Sequence, residues 1–298
     1  MNSGRSNVVS TATPSHATLT RSDRSIGSIL IDAGRLKPEA AEAVLRTQRE
    51  QGIRFGDAAM QLGLITPADI EWAISLQFDY PYLMSGQSDL SETLVAAYNP
   101  FTPQVETLRA LRSQLMLRWF DSDVQHKALA IVSAERREGR SFIAANLAIV
   151  FSQLGERTLL IDSDFRNPVQ HTLFSLDNRA GLSAMLTGRA GNEAIQRVPA
   201  LRDLCVLTAG AQPPNPSELL ARSDFPQLMK DLASQYDILL LDTAAAGDST
   251  DAQMASIYAG GALIVARKDT SRFGRIRAVA EHSLQPRVTI VGTVLNEF

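Results

Sequence analysis

The segment Ala128-Leu-Ala-Ile-Val-Ser133 runs into Ala134-Glu-Arg-Arg-Glu-Gly139-Arg140-Ser141, and then into Phe142-Ile-Ala-Ala-Asn-Leu-Ala148. It reads as a buried strand, a short charged turn and a helix opening at Ser141. A strand–turn–helix that closes on Gly-basic-Ser suits phosphate. The loop N–H groups and helix N-terminus face the anion, a cation neutralises it, and the hydroxyl can ligate Mg²⁺. Gly139, Arg140 and Ser141 are the candidates for those three parts. Arg140 stands where such loops usually carry lysine, and its guanidinium is a planar fork rather than a point charge.

Beyond this loop the chain alternates strand and helix, the pattern of a parallel sheet covered on both faces. Strands are expected at Ala128–Val132, Thr158–Ile161, Leu204–Leu207, Ile238–Leu241, Ala262–Val265 and Thr289–Leu295. Helices are expected at Ser141–Leu154, Ser183–Leu186, Ser217–Leu220, Asp224–Gln235, Asp251–Tyr258 and Phe273–His282. In such sheets ligands bind at the carboxyl ends of strands. Asp162 and Asp164 follow the second strand, and Asp242 ends the fourth. Each could cap a turn. Together, beside a phosphate loop, they suggest Mg²⁺, which takes one or two carboxylates plus substrate phosphates. Asn296, directly after the last strand, is placed to read a base edge.

The 298 residues carry a net charge of -3, which gives no general case for a nucleic-acid polymer. No apolar run approaches the roughly 18 residues of a membrane span. Residues 1–22 are Ser/Thr-rich without an apolar segment and are expected to be a disordered tail. Cys205, the one cysteine, lies in an apolar strand and reads as a packed thiol. Residues 85–103, rich in Gly, Ser, Asn and Pro, are expected to be a linker to a domain at 104–298. The next helix sets Glu106, Arg109 and Arg112 on one face and Leu108, Leu111 and Leu115 on another.

The front of the chain repeats itself. Gly27, Gly34, Leu36, Pro38 and Gln48 recur 29 positions later as Gly56, Gly63, Ile65, Pro67 and Gln77. Each copy has a short helix, a Gly able to close it in the left-handed region, and Pro at the start of a second helix. Two helical hairpins sharing one core are expected over 23–84. On residue types alone this is a docking module.

These two 24-residue units resemble the N-terminal domain of type II secretion ATPases, in the branch that binds cyclic di-GMP. Arg54-Phe55-Gly56 and Gln77 match the unit's start and end in the second copy. In the first copy Gly27 and Gln48 match, and Ser25 replaces the arginine. The resemblance implies cyclic di-GMP as a ligand, with Arg54, Phe55, Gly56, Gln48 and Gln77 as its residues.

Residues 100–298 resemble the bacterial tyrosine autokinases of exopolysaccharide synthesis, the chain-length-determinant group. The matching motifs are Glu106-x-x-Arg109-x-x-Arg112, the phosphate loop, Leu159–Arg166 with its Asp162-x-Asp164-x-Arg166, and Asn167-Pro168. Further along, Gly210-Ala-Gln-Pro-Pro-Asn-Pro-Ser-Glu-Leu-Leu220 and Tyr236-Asp followed by Asp242-Thr243 complete them. The resemblance implies a P-loop NTPase-like α/β fold, a parallel sheet flanked by helices, alongside the helical front domain. It implies ATP and Mg²⁺, with Arg137, Glu138, Gly139, Arg140, Ser141, Phe142 and Asn296 around the nucleotide. Ser141, Asp162, Asp164 and Asp242 would form the metal shell, and Asp162 would take the proton of an incoming tyrosine hydroxyl. Glu106, Arg109 and Arg112 would form an interface of a homo-oligomer. A membrane-embedded chain-length regulator would be the partner, and would recruit this cytoplasmic chain to the inner membrane.

The chain departs from that pattern in several places. Arg136 and Arg137 replace Pro-Gly, so a backbone position suited to φ > 0 carries a Cβ. Ala244 and Ala245 replace a Pro-Pro pair. The tyrosine-rich tail of many relatives does not follow the last strand, which leaves Tyr80, Tyr82 and Tyr98 as acceptor candidates beside plain packing roles. Three functions therefore stay open at this level: a tyrosine kinase, an ATP-responsive scaffold of polysaccharide assembly, and a partitioning-type ATPase.

Overall fold

The structure is a computed structural model that describes residues 25–77, 82–83, 86, 88–122, 126–247, 249–283 and 288–297. The tail expected at 1–22 and the candidate acceptor Tyr80 lie outside the described residues. The chain divides into two compact units between Tyr80 and Pro81.

The front unit holds α1 (Ile26–Asp32), α2 (Pro38–Gln51), α3 (Phe55–Gln61) and α4 (Pro67–Gln77). Gly34 and Gly63 take φ values of 70° and 66°, so each hairpin turns through the left-handed region at the repeated glycine. Thr66 caps α4 reciprocally: its hydroxyl accepts from Asp69 N–H at 3.3 Å, and Asp69 Oδ2 accepts from Thr66 N–H at 2.9 Å. The core pairs Leu30 with Leu36 and Val44 from the first copy, and Ala59, Ile65 and Ala73 at the equivalent positions of the second. α1 packs on α4 and α2 on α3, so the two copies share this one core.

The second unit contains α5 (Val95–Tyr98), α6 (Pro103–Leu115), α7 (Arg140–Gln153), α8 (Gln170–Leu173), α9 (Leu182–Leu186), α10 (Pro216–Leu220), α11 (Asp224–Gln235), α12 (Asp251–Ala259) and α13 (Phe273–Ala278). Its strands are β1 (Ala128–Val132), β2 (Thr158–Asp162), β3 (Ile195–Arg197), β4 (Leu204–Leu207), β5 (Ile238–Asp242), β6 (Gly261–Arg267) and β7 (Thr289–Asn296). They form one sheet in the order β3-β4-β2-β5-β1-β6-β7, parallel throughout except for β3 against β4. β1, β2 and β5 are buried along their whole length, which is why they read as unbroken apolar runs. One apolar layer sits under α5, α6 and α7, the other under α9, α11 and α12. The expected α/β fold is present, and its strands fall where the apolar runs placed them. β3 was not foreseen, because three half-buried residues Ile-Gln-Arg at a sheet edge carry no period.

The expectation of a linker at 85–103 is corrected. Leu94, Ala96, Ala97 and Tyr98 are buried in the sheet's core, and Asn146 of α7 accepts from Ala96 N–H at 2.9 Å through Oδ1. The small Ala pair lets α5 lie close against α7, something composition alone reads as loop. Tyr98 takes the packing role of its two readings: its ring is buried and its hydroxyl donates to the Leu90 carbonyl at 2.8 Å. Among the described residues no helix is long and apolar enough to cross a membrane.

Candidate nucleotide site at the carboxyl end of the sheet

β1 and α7 flank the phosphate loop, and two unusual backbone positions shape it. Gly139, the N-cap of α7, has φ 101°, and Arg137 has φ 61°. The left-handed position foreseen at the Pro-Gly replacement is real, and Arg137 occupies it at a cost of about 1 kcal/mol relative to glycine. Glu138 is buried and braces the loop from within: its Oε2 accepts from Glu135 N–H at 2.8 Å and its Oε1 bonds the Ser271 hydroxyl. Asn296, at the end of β7, donates from Nδ2 to the Glu138 carbonyl at 3.2 Å, which ties the last strand to the loop. Phe142 packs its ring against the core beneath.

Arg140, the first residue of α7, turns inward and is almost fully buried. Its Nε donates to the Thr243 carbonyl at 2.9 Å, and its Nη1 to the Glu135 carbonyl at 2.9 Å and to the Ser133 hydroxyl. Nη2 lies 3.7 Å from Asp164 Oδ2. A lysine could not fill this role, since three acceptors on three sides suit a fork.

Asp162 and Asp242 close β2 and β5, and Asp164 follows two residues after Asp162. Asp162 and Asp242 are register partners on adjacent strands, β2 and β5, so both side chains leave the same face. Asp162 Oδ1 accepts from Asp164 N–H at 3.1 Å, and its Oδ2 from the N–H groups of Val169 and Gln170 at 3.1 and 3.0 Å. Asp164 Oδ1 holds the N–H groups of Arg166 and Asn167 at 3.1 and 2.9 Å. Burial, followed by the neighbouring Asp242 charge, holds the Asp162 carboxyl well above the ordinary range. Burial also pushes Asp242 up to about 6, against the attraction of Arg140 and hydrogen bonds from Gln170 and Ser141.

Gln170 was not singled out in the sequence. It is fully buried and donates from Nε2 to Asp242 Oδ2 at 2.8 Å and to the Ser141 carbonyl at 3.2 Å. It thus ties β2, β5 and α7 together. Nothing local marks it, because its partners lie 29 and 72 residues away. Arg166, known from its motif only, proves to pair with buried Asp251 at 2.7 Å, and Ser217 of α10 bonds the same carboxylate.

Two buried oxygens of the site are left open. Asp242 Oδ1 and Gln170 Oε1 are buried without hydrogen-bond partners among the described residues, an arrangement costly unless something donates to or coordinates them. Among the described residues no group of three or more His, Cys, Asp or Glu is arranged to hold a metal ion by itself, so an ion here would rest on one or two carboxylates, with Asp242 the open one, plus water or phosphate oxygens.

Comparison with known proteins gives this geometry a lineage. The chain is 32% identical over 209 residues to the tyrosine-protein kinase YwqD of Bacillus subtilis, covering 70% of this chain and 87% of that one. It belongs to the bacterial tyrosine-protein kinases. The kinase domain of Escherichia coli tyrosine kinase ETK superposes with a TM-score of 0.67 at 31% identity, over 72% of this chain and 83% of that one. The tyrosine-protein kinase wzc of Salmonella typhimurium is 30% identical over 275 residues, 91% of this chain but 37% of that longer protein. No family model matches the chain.

The remaining expected residues are placed as follows. In α6, Arg109 pairs with Glu106 and donates to the Tyr82 hydroxyl at 2.8 Å, while Arg112 donates to the Val150 carbonyl at 2.9 Å. Arg112 therefore braces α6 on α7, and the Glu106 side chain is exposed. In the front unit Arg54 is exposed, and Gln48 and Gln77 are half-buried. A Cβ on Gly27 would stand 3.0 Å from the Phe55 ring, and one on Gly56 2.8 Å from Ile70 Cδ1. The repeated glycines and Phe55 thus serve helix packing, which leaves Arg54 as the member of that set open to a ligand.

Proposed function

We propose that the chain is an ATP- and Mg²⁺-dependent protein-tyrosine kinase that regulates exopolysaccharide chain length and export with a membrane-embedded regulator. The observation that supports this best is the buried cluster of Asp162, Asp164 and Asp242 beside the phosphate loop, with one Asp242 oxygen unpartnered. Bound there, Mg²⁺ would neutralise charge on the transferring phosphate. Asp162, kept protonation-prone by burial, suits acceptance of the tyrosine proton at a carboxylate oxygen. Gly139 and the N-terminus of α7 offer backbone N–H groups to the phosphates. Arg140 orients the loop through Nε and Nη1, and Nη2, 3.7 Å from Asp164 Oδ2, is the part of the fork left for phosphate.

The test is phosphotyrosine mass spectrometry of the protein co-expressed with its membrane regulator. Wild type is expected to carry phosphotyrosine and Asp162→Asn to lack it. Persistent phosphorylation in the variant would remove Asp162 from that role.

A second reading, an ATP-responsive scaffold, draws support from Arg140, whose Nε and Nη1 are engaged by the protein. In either case Glu106 and Arg109 on α6 are proposed to join copies into a homo-oligomer, and recruitment to the inner membrane is proposed to run through the regulator. For the front unit, cyclic di-GMP is proposed as a ligand on the strength of exposed Arg54. Calorimetry with the full chain and Arg54→Ala checks it, and absence of binding by wild type would end the idea.

A further inference from the structure

A cavity of about 420 Å³ opens beyond the carboxyl end of β4. Its lining includes Ser183, Arg189, Pro213, Glu218, Leu219 and Arg222, and none of the phosphate-loop residues or the three aspartates. Its chemistry is unbalanced. Arg189 and Arg222 are exposed and, among the described residues, neither makes an ion pair; Arg189 Nε donates to Thr187 Oγ1 at 2.9 Å. Glu218, the acidic member, accepts instead from Asn215 Nδ2 at 3.1 Å. Ser183 is buried, and its hydroxyl has no hydrogen-bond partner among the described residues. Two cations and an unsatisfied hydroxyl beside the apolar Pro213 and Leu219 suit a carboxylate carried on a short apolar stem. Guanidinium forks bind carboxylates through paired, charge-assisted hydrogen bonds.

The cavity is also coupled to the site by one short element. Glu218 and Leu219 belong to α10, and the preceding residue, Ser217, bonds Asp251 and lies 3.3 Å from Arg166 Nη2. Arg166 closes the segment that carries Asp162 and Asp164. Arg166 and Ser217 thus join the aspartate-bearing segment to the wall of the cavity.

We infer that this cavity is a docking subsite for the acceptor segment, taking the carboxylate of a Glu or Asp that flanks the tyrosine. The inference rests on the tyrosine-kinase reading, and its test separates the two. Fluorescence anisotropy with the full chain would compare three labelled peptides, each with a central tyrosine flanked by Glu, Gln or Lys. The Glu peptide is expected to bind about tenfold more tightly than the Gln peptide, the ratio a charge-assisted contact supplies. Arg222→Gln is expected to reduce that ratio, and Arg189→Glu with Arg222→Glu to shift the preference to the Lys peptide. Both residues are exposed, and unchanged melting temperatures would show that the variants fold. Equal binding of Glu and Gln peptides by wild type would overturn the subsite. So would a preference that survives both substitutions, since the arginines of the phosphate loop would then be reading the charge. Transfer of phosphate from ATP to the same peptides is scored separately. No transfer with an intact charge preference would sink the kinase reading and leave the carboxylate subsite standing.

Discussion

Gln170 Nε2 donates to Asp242 Oδ2 at 2.8 Å, which joins the loop after β2 to the end of β5 at the centre of the site. The same residue's backbone N–H holds Asp162 Oδ2 at 3.0 Å. One side chain and its own peptide therefore orient two of the three carboxylates. Partners of this kind typically set metal affinity or activity by 10–100-fold without touching the reacting atoms.

Gln170→Leu is accordingly expected to lower kcat by about 10- to 100-fold while the KM for ATP changes by less than about threefold. Steady-state kinetics, with a parallel melting curve, checks it. An unchanged kcat would show that Asp242 needs no such support.

Arg140 spends Nε on the Thr243 carbonyl and Nη1 on the Glu135 carbonyl and the Ser133 hydroxyl. Replacing it with lysine removes the fork and leaves buried acceptors short of donors. Arg140→Lys is expected to cost about 1–2 kcal/mol of stability in urea titrations. Calorimetry is expected to show that this variant binds ATP·Mg²⁺ no more weakly than wild type, because fewer internal bonds compete. A Lys variant as stable as wild type would contradict the bracing role. One that lost nucleotide binding would show that the fork itself holds the phosphates.

Asp242 gives the folded protein a pH signature. Its folded pKa of about 6 lies above the ordinary 3.8, so between those values the folded state binds more protons than the unfolded. The stability due to this group is therefore lost as pH rises through that window, and Asp162, shifted the same way, adds to the loss. Without Mg²⁺, the wild type is expected to gain less stability than Asp242→Asn, or to lose more, between about pH 4 and about pH 7. Thermal melting of both proteins across that range decides it, and parallel profiles would refute the shift.

A Cβ at Gly261 would stand 2.4 Å from Trp119 Cζ2, inside a buried indole whose Nε1 donates to the Ala128 carbonyl at 2.9 Å. The ring is rigid and cannot swing aside as an aliphatic tip could. Gly261→Ala is expected to destabilise the second unit by about 2–3 kcal/mol in urea unfolding. A loss below about 0.5 kcal/mol would mean that the strand shifts freely.

The residues of β1, β2 and β5 announced the sheet, because strands buried on both faces must be apolar throughout. The 29-residue repeat, with its glycines at turn positions, announced the front hairpins. The same order of motifs carried the kinase resemblance, since each is a short local pattern that needs no tertiary knowledge. Three other features depended on contacts between residues far apart in the chain, and no local period encodes those. Residues 94–98 looked like linker until α5 was seen packed on α7. Gln170 became a site residue only when the loop after β2 returned to β5. Arg140 could be read as a phosphate ligand from its spacing, but its direction was set by the carbonyls of Glu135 and Thr243, the latter 103 positions away. By itself, then, the sequence determined every strand but the edge strand β3, where the charged turn between β1 and α7 lies, and which carboxylates reach the carboxyl end of the sheet. Only the tertiary structure decided which polar atoms those carboxylates share and which they leave unpartnered, because hydrogen-bond geometry depends on the packed register of distant strands.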